Sequence, residues 1–214
     1  MVTHIPISLI LIMLILVFSF SCSKDKTANP GVENSATKVY MFDNEVKTLK
    51  VKNKTYKETA VTAYSVKDLS SFFKTKPAHD IEIILTDKTK KTLKYSSFLN
   101  TYITKQAVGV SPLCFSENAD ISNIYAIISG SDGILFPIAG QQITGPDFVK
   151  LFKINSKITK YKFVAIDGYE LECTAKQMKT AVITIDSNGS ISAKLPIEKG
   201  AGRINDILYI EAVK

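Results

Sequence analysis

Apolar residues follow two different patterns along this chain. One nearly continuous run extends from Ile7 to Phe20, interrupted only by Ser8 and Ser19. Later apolar segments are short, and polar turns separate them. The first run is shorter than the roughly 18 to 20 residues that a helix needs to cross a bilayer, and no later segment is long enough. We therefore expect the chain to begin with a signal segment and to contain no transmembrane helix.

The later segments predict a strand-rich domain with few short helices. Ser65 is positioned to cap a short helix in which Leu69, Phe72 and Phe73 share one face. Asp186-Ser187-Asn188-Gly189 predicts a hairpin, because Asn-Gly tolerates the positive φ of a tight turn. Strands are predicted, with a turn at Gly130-Ser131-Asp132-Gly133, at Val39 to Phe42, Val46 to Val51, Thr59 to Tyr64, Ile124 to Ser129, Ile134 to Ile138, Ala181 to Ile185, Ser190 to Lys194 and Ile204 to Ala212, and each copy of the repeat described next adds two. The predicted class is α+β, in a single domain.

One pattern occurs twice. Residues Ile81 to Ile103 align without gaps with Tyr161 to Ile183 at a separation of 80 residues, and their apolar positions agree in type. This indicates two duplicated subdomains over residues 65–103 and 144–183. If the repeat is real, the strands and the Asp-led turns should superimpose. Leu93 and Cys173, which occupy matching positions, should then both be buried.

The residues Ser19-Phe20-Ser21-Cys22 resemble the lipobox of bacterial lipoproteins. Two features depart from the family pattern: Ser19 stands where an aliphatic residue is usual, and no Lys or Arg precedes the apolar run. The resemblance implies that Cys22 is lipidated, with acyl chains such as palmitate, after which residues 1–21 are removed as a signal peptide. It also implies a protein of the bacterial cell envelope, anchored in a membrane and facing the periplasm or the cell surface. The alternative is an ordinary secretory signal in which Cys22 is incidental.

Residues 22–37 are expected to form a flexible lipidated tether, and residues 38–214 the folded domain. The tether is rich in Asn, Pro, Gly, Ser and Thr, and it has too few large apolar groups to order itself. Removing residues 1–21 leaves 214 − 21 = 193 residues. That length suits one domain or two small subdomains with a shared core.

The net charge of +7 comes from 27 Lys and Arg residues against 20 Asp and Glu residues. A basic surface is attracted to anionic headgroups or acidic polymers. Because the lysines are spread along the chain, we interpret the charge mainly as solvation. Aromatic and basic residues do not alternate in a stripe, so no nucleic acid partner is expected.

Cysteine and histidine residues limit the metal chemistry. Cys114 and Cys173 are expected to be free buried thiols, although an exported domain would also permit a disulfide. His79 is the only histidine after the signal segment, so zinc or haem sites built from histidine are not expected. Asp186, Asn188 and Ser190 alternate as in a calcium loop, but no Glu follows at the bidentate position.

Residues Lys162 to Glu170, continued through Leu171 and Met178 to Gly189, resemble the strand, Asp-Gly-Tyr turn and helix of the sulfite-oxidase type of molybdopterin-binding domain. Ser131-Asp132-Gly133 is a weaker match to the same turn. In that family a cysteine thiolate binds molybdenum in a polar pocket. Cys114 instead lies in the apolar segment Pro112-Leu113-Cys114-Phe115. We therefore expect a relative without the cofactor, since an unfolded export route also leaves no opportunity to load it.

Arg203 is the only arginine, and it follows Gly200 and Gly202 in a glycine-rich segment. One hypothesis is a tight turn in which Arg203 pairs with a local acid, Glu198 or Asp206. The other is an anion-binding site, because a planar guanidinium and free backbone N–H groups can hold a carboxylate or phosphate. In the second case Arg203 should line a concave surface with the turns at Asp132-Gly133 and Asp167-Gly168.

No motif predicts catalytic residues or a bound cofactor. The expected function is a lipid-anchored extracytoplasmic binding or interaction protein, whose unidentified ligand is a small molecule or a protein and whose site suits an anion. The alternatives are a molybdopterin-dependent oxidoreductase-like enzyme and a structural envelope lipoprotein. A structural protein would have no pocket with convergent polar groups.

Overall fold

The computed structural model describes residues 34–45, 52–57, 59–69, 80–104, 114–116, 119–197 and 202–214. All of them belong to one compact unit, Val32–Lys214. Strands dominate and the helices are short, so the predicted α+β class is confirmed. Cys22, the predicted strand at Val46 to Val51, His79 and Gly200 lie outside the described residues.

An eight-stranded sheet forms the centre of the domain. Its two middle strands, β1 and β10, run parallel, and every other pair in it is antiparallel. In spatial order the strands are β13 (Glu170–Thr174), β12 (Lys160–Ala165), β17 (Ile207–Val213), β1 (Lys38–Met41), β10 (Asp132–Leu135), β9 (Ile124–Ser129), β4 (Ile81–Leu85) and β5 (Lys90–Leu93).

Two smaller antiparallel sheets and five short helices pack around the central sheet. The five-stranded sheet contains β2 (Lys52–Tyr56), β3 (Thr59–Ser65), β6 (Tyr102–Thr104), β7 (Cys114–Ser116) and β8 (Ala119–Ile121). The four-stranded sheet contains β11 (Gln142–Thr144), β14 (Val182–Ile185), β15 (Ile191–Lys194) and β16 (Arg203–Ile204). The helices are α1 (Phe42–Glu45), α2 (Val66–Leu69), α3 (Tyr95–Leu99), α4 (Gly145–Leu151) and α5 (Ala175–Met178).

The two smaller sheets cover opposite faces of the central sheet. Neighbouring side chains of a strand point to opposite faces. Ile83 joins a core cluster with the five-stranded sheet, whereas Ile84 joins a second cluster with the four-stranded sheet. Likewise, Ile134 joins the cluster with the five-stranded sheet, and Leu135 joins the cluster with the four-stranded sheet. The central strands are therefore buried on both sides, which explains the fully apolar sequence Ile124 to Ile128 of β9.

The segments separated by 80 residues have the same order of elements. In the first, β4, β5, α3 and β6 follow one another, and β12, β13, α5 and β14 follow in the second. Both outer strand pairs border a central strand, β9 in one half and β17 in the other. The first strand of each half pairs with a strand of the other half. β1 pairs with β17, and β10 pairs with β9. This correspondence is what an internal duplication predicts.

The correspondence extends to the turns. The Asp87 carboxylate accepts the Thr89 backbone N–H at 2.8 Å, and the Asp167 carboxylate accepts that of Tyr169 at 2.9 Å. The residue after each Asp has a positive φ, 70° at Lys88 and 85° at Gly168. Both first strands also shift register one residue before they end. A positive φ is costly for a residue with a Cβ, so its recurrence in both halves reflects a shared backbone rather than a shared sequence.

Side-chain burial agrees at most of the paired positions. Phe98 and Met178 are both 1% exposed, and Ile103 and Ile183 are fully buried. Cys173 is buried, whereas Leu93 is half-buried and packs against the core of its own half. The pair does not have opposite exposure, but Leu93 is less enclosed than expected.

Several predicted boundaries differ from the structure. Phe42, predicted to end the first strand, begins α1, and the strand predicted to reach Ile138 ends at Leu135. Residues before the predicted start at Lys38 already pack against the domain, because the Ser35 backbone N–H donates to the Gly130 carbonyl and Ala36 is fully buried. Asp132 and Gly133 begin β10 instead of belonging to the preceding turn. The last predicted strand is interrupted before Ile207, because Asp206 has a φ of 50°.

Candidate functional site

Among the described residues, no hydrogen bond or ion pair joins Arg203 to either predicted turn. Arg203 is exposed on β16, and its Nε donates to the Asn205 side chain at 3.1 Å. Gly202 does make the close approach expected of a glycine, but its neighbour is the chain itself. Its carbonyl accepts the Leu195 N–H, and a Cβ there would overlap the Leu195 carbonyl oxygen. The glycine is therefore explained by packing between adjacent segments.

Asp132 and Gly133 lie far from the turn at Asp167-Gly168. Three strand spacings and about five residues along the strands separate them, which is on the order of 20 Å. A Cβ at Gly133 would lie 2.7 Å from the Phe152 ring, so this glycine makes room for an aromatic side chain. Asp132 ends a cross-strand row of alternating charges: Glu172, Lys162, Glu211, Lys38 and Asp132. Such rows stabilise a sheet, and the separation of about 20 Å keeps these two turns from lining one small site.

The cysteines do not fit the molybdenum site that the family resemblance implies. Cys114 and Cys173 are free thiols, as expected, and both are buried. The Cys114 thiol donates to the Thr101 hydroxyl at 3.2 Å. Burial raises the pKa of each thiol to about 11. A metal ligand must be a thiolate, and neither sulfur is exposed toward a polar pocket.

In the described part of the chain, no group of three or more His, Cys, Asp or Glu side chains is placed to hold a metal ion. No helix there is long and apolar enough to cross a membrane.

A groove of about 570 Å³ lies between α4, α5 and the segment that joins α4 to β12. We call it the α4–α5 groove. Its floor is apolar and includes Val149, Ile154, Ile158, Tyr161 and Met178. Its polar lining consists of Lys150, Lys153, Asn155, Ser156 and Lys179, with no acidic residue. The volume lies within the range of roughly 300–1,000 Å³ that is usual for small-molecule sites.

Local sequence signals build the two helical walls. Thr144 caps α4 by accepting the Asp147 N–H at 3.2 Å, and Pro146 occupies the first turn, where no N–H is needed. Thr174 and Gln177 form a reciprocal capping box at α5, with the Thr174 N–H donating to the Gln177 side chain at 2.8 Å. Phe148 of α4 packs into the core and is fully buried.

Backbone contacts then hold the walls together. The Gly145 N–H donates to the Ala181 carbonyl at 2.9 Å, and the Ala175 N–H donates to the Thr159 carbonyl at 2.8 Å. Because Gly145 has no Cβ, the start of α4 lies directly against the Met178 carbonyl. The walls are thus fixed by the main chain, and the groove is largely pre-formed.

One lysine of the groove belongs to a partly buried ion-pair network. Glu82 of β4 binds Lys153 at 2.6 Å and Lys90 at 2.9 Å, and its side chain is only 13% exposed. Burial alone would raise the pKa of Glu82, but the hydrogen bonds and charges of Lys153 and Lys90 outweigh it and lower the pKa. The network connects the two halves of the chain at the edge of the groove.

Glu82→Gln should destabilise the protein by about 1–2 kcal/mol at neutral pH. This lies between the typical costs of breaking an exposed and a buried salt bridge, because Glu82 is partly buried. A lowered folded-state pKa means that the stabilisation is complete above the unfolded pKa of about 4.3 and is lost as the pH falls through the folded pKa. Urea unfolding from pH 7 to pH 3 measures this, and the variant should lose part of the acid dependence.

Glu172→Gln is the matched control. It breaks an exposed pair with Lys160 at 3.6 Å, with about half of each side chain accessible, so a change below about 0.5 kcal/mol is expected. Equal effects of the two substitutions would contradict a special role for the Glu82 network.

The remaining groove lysines are available to a ligand. Lys150 and Lys179 are exposed, and neither makes an ion pair with any residue in the described ranges. An apolar floor with unneutralised cations at the rim suits a molecule that combines an apolar body with an anionic group.

Comparison of the chain with protein-family models, with curated proteins and with solved structures finds no match. The residue types and the geometry of the groove therefore carry the functional argument.

Proposed function

We propose that this chain is a lipid-anchored binding protein of the bacterial cell envelope, and that the α4–α5 groove binds an amphipathic anion. The observation that carries the proposal is the combination of a pre-formed apolar floor with Lys150 and Lys179 at the rim. A purely structural lipoprotein would not need convergent cations over an apolar groove. The lipobox-like segment at Cys22 supports the location.

The molybdopterin-dependent alternative has less support. Its metal ligand would be Cys114, whose thiol is fully buried and has a raised pKa. One molybdenum atom per chain in protein purified from its host would favour that alternative and contradict the binding-protein proposal.

Dodecanoate below its micellar concentration is a suitable probe, with dodecyltrimethylammonium as the cation of equal chain length. We use residues 22–214 carrying Cys22→Ser, which bring neither an acyl chain nor the apolar run Ile7 to Phe20, with ¹³C-methyl methionine. Met178 lines the groove, although only 1% of it is exposed, and Met41, which is fully buried in β1 and does not line the groove, is an internal control. Dodecanoate should shift the Met178 signal and leave Met41 unchanged, and the cation should bind at least about tenfold more weakly because the lysines repel it.

The double variant Lys150→Gln/Lys179→Gln should weaken dodecanoate binding by about tenfold or more, since charge-assisted contacts contribute about 1 kcal/mol each. Lys88→Gln/Lys91→Gln removes the same charge elsewhere on the surface and should leave the affinity unchanged. Equal shifts of Met178 and Met41, or equal affinity for both probes, would contradict a specific anion site.

A further inference from the structure

The α4–α5 groove lies at the end of the domain where the N-terminal segment joins it. Ser35 Oγ donates to the Lys153 carbonyl at 2.8 Å, and the Ala36 N–H donates to the Phe152 carbonyl at 3.1 Å. Lys153 itself lines the groove. Any segment that precedes Asn34 therefore enters the domain beside the groove.

The chain length sets how far this end can be from an anchor at Cys22. Twelve residue steps separate Cys22 from Asn34, which span at most about 40 Å when fully extended. A lipid on Cys22 would thus hold Asn34, and with it the groove end of the domain, within about 40 Å of the membrane surface.

The two ends of the sheet differ in charge: the groove end carries Lys150, Lys153 and Lys179 together with Asp80 and Asp147, and the opposite end is mainly acidic. The β4–β5, β12–β13 and β14–β15 turns and the bend before β17 lie at the end opposite the groove. The last three are connected there, since the Ile166 N–H donates to the Asp206 carbonyl and the Ser190 hydroxyl donates to the Asp206 carboxylate. These turns carry four exposed aspartates, Asp87, Asp167, Asp186 and Asp206, and Lys88 is the one basic residue within them. An anionic membrane would attract the groove end and repel this acidic end.

We propose that the α4–α5 groove binds an anionic phospholipid of the membrane that holds the anchor, so that the domain docks with the groove facing the bilayer. This inference rests on the proposed function and names its ligand. The phosphate lies at Lys150 and Lys179, and an acyl segment lies along Val149 and Ala175, the partly exposed apolar residues of the groove. A tethered domain meets the lipid at a high effective concentration, so a weak individual contact is sufficient.

The test places a fluorophore at each end of the lipidated protein. Ser156→Cys puts an NBD label at the groove, and Ser187→Cys puts it on the hairpin at the acidic end; both positions are exposed. Cys114 and Cys173 are buried, and burial raises the pKa of each to about 11, so they should not react with the label in the folded protein. The labelled proteins are reconstituted in phosphatidylcholine vesicles with or without phosphatidylglycerol, each containing spin-labelled lipid.

The label at position 156 should be quenched in vesicles that contain phosphatidylglycerol, and far less in phosphatidylcholine alone, whereas the label at 187 should not be quenched in either. Each lysine near an anionic surface contributes about fivefold, so Lys150→Gln/Lys179→Gln should weaken docking by about twentyfold. Lys88→Gln/Lys91→Gln should not weaken it.

Equal quenching at both positions, or none at position 156, would overturn the inference. If dodecanoate still shifts Met178 in that case, the groove binds a soluble amphipathic anion and the proposed function stands. If dodecanoate binding also fails, both proposals are wrong.

Discussion

Cys22→Ser should abolish the incorporation of fatty acid into this protein. Lipidation of the lipobox type forms a thioether on the cysteine sulfur, and a serine hydroxyl cannot replace it. The acyl chains provide about 0.8 kcal/mol of membrane affinity per buried CH₂ group, so the loss removes the anchor altogether. Metabolic labelling with an alkyne analogue of palmitate measures the result.

The folded domain should be unaffected by this substitution. Cys22 lies twelve residues before Asn34, where the described packing begins, so the far-ultraviolet circular dichroism and the urea midpoint should match those of the wild type. Ser23→Ala is the neighbouring control and should retain the label. Membrane fractionation is a weaker measurement, because an uncleaved apolar run at Ile7 to Phe20 would also hold the variant in the membrane. Persistent labelling of Cys22→Ser would disprove the lipobox.

The sequence was most informative where local pattern and tertiary environment agree. The Ile124–Ser129 strand has the predicted bounds, because every side chain of a doubly covered strand is buried. The hairpin at Asp186 to Gly189 also forms, with Gly189 at a φ of 81° and the Asp186 carboxylate accepting two backbone N–H groups. Apolar spacing and turn residues are enough to specify such elements.

Non-local packing explains the boundaries that sequence patterns placed wrongly. Gly133 suggests a turn, but it is a strand residue that accommodates Phe152, nineteen positions later in the chain. The bend at Asp206 depends on its carbonyl accepting the Ile166 N–H from another hairpin. Neither partner is visible in the local sequence, because strand pairing and core packing determine both.

The groove could not be predicted for the same reason. Lys150 and Lys179 belong to different helices, and a glycine contact between those helices brings them to one rim. In the sequence they are two of many scattered lysines, so their charge suggested solvation only. Arg203 drew attention because it is the only arginine, but composition alone does not show which side chains converge.

Gly145→Ala should destabilise the protein by about 2–4 kcal/mol and close the α4–α5 groove. The new Cβ would overlap the Met178 backbone carbonyl, and a backbone group cannot rotate away as a flexible side chain can. Helix propensity acts in the opposite direction, because Ala is favoured over Gly by up to about 1 kcal/mol within a helix. The sign of the change therefore shows which effect dominates, and urea unfolding measures it directly.

Gly140→Ala separates the clash from the general cost of replacing a glycine. Gly140 has a φ of 77°, but a Cβ there would meet no atom within 4 Å, so only the backbone penalty of about 1–2 kcal/mol applies. Gly145→Ala should exceed that penalty and should also abolish the dodecanoate shift at Met178, whereas Gly140→Ala should preserve the shift. If Gly145→Ala is as stable as the wild type and still binds dodecanoate, α4 does not approach α5 as closely as described. The contact between Gly145 and Met178 would then not be what forms the groove.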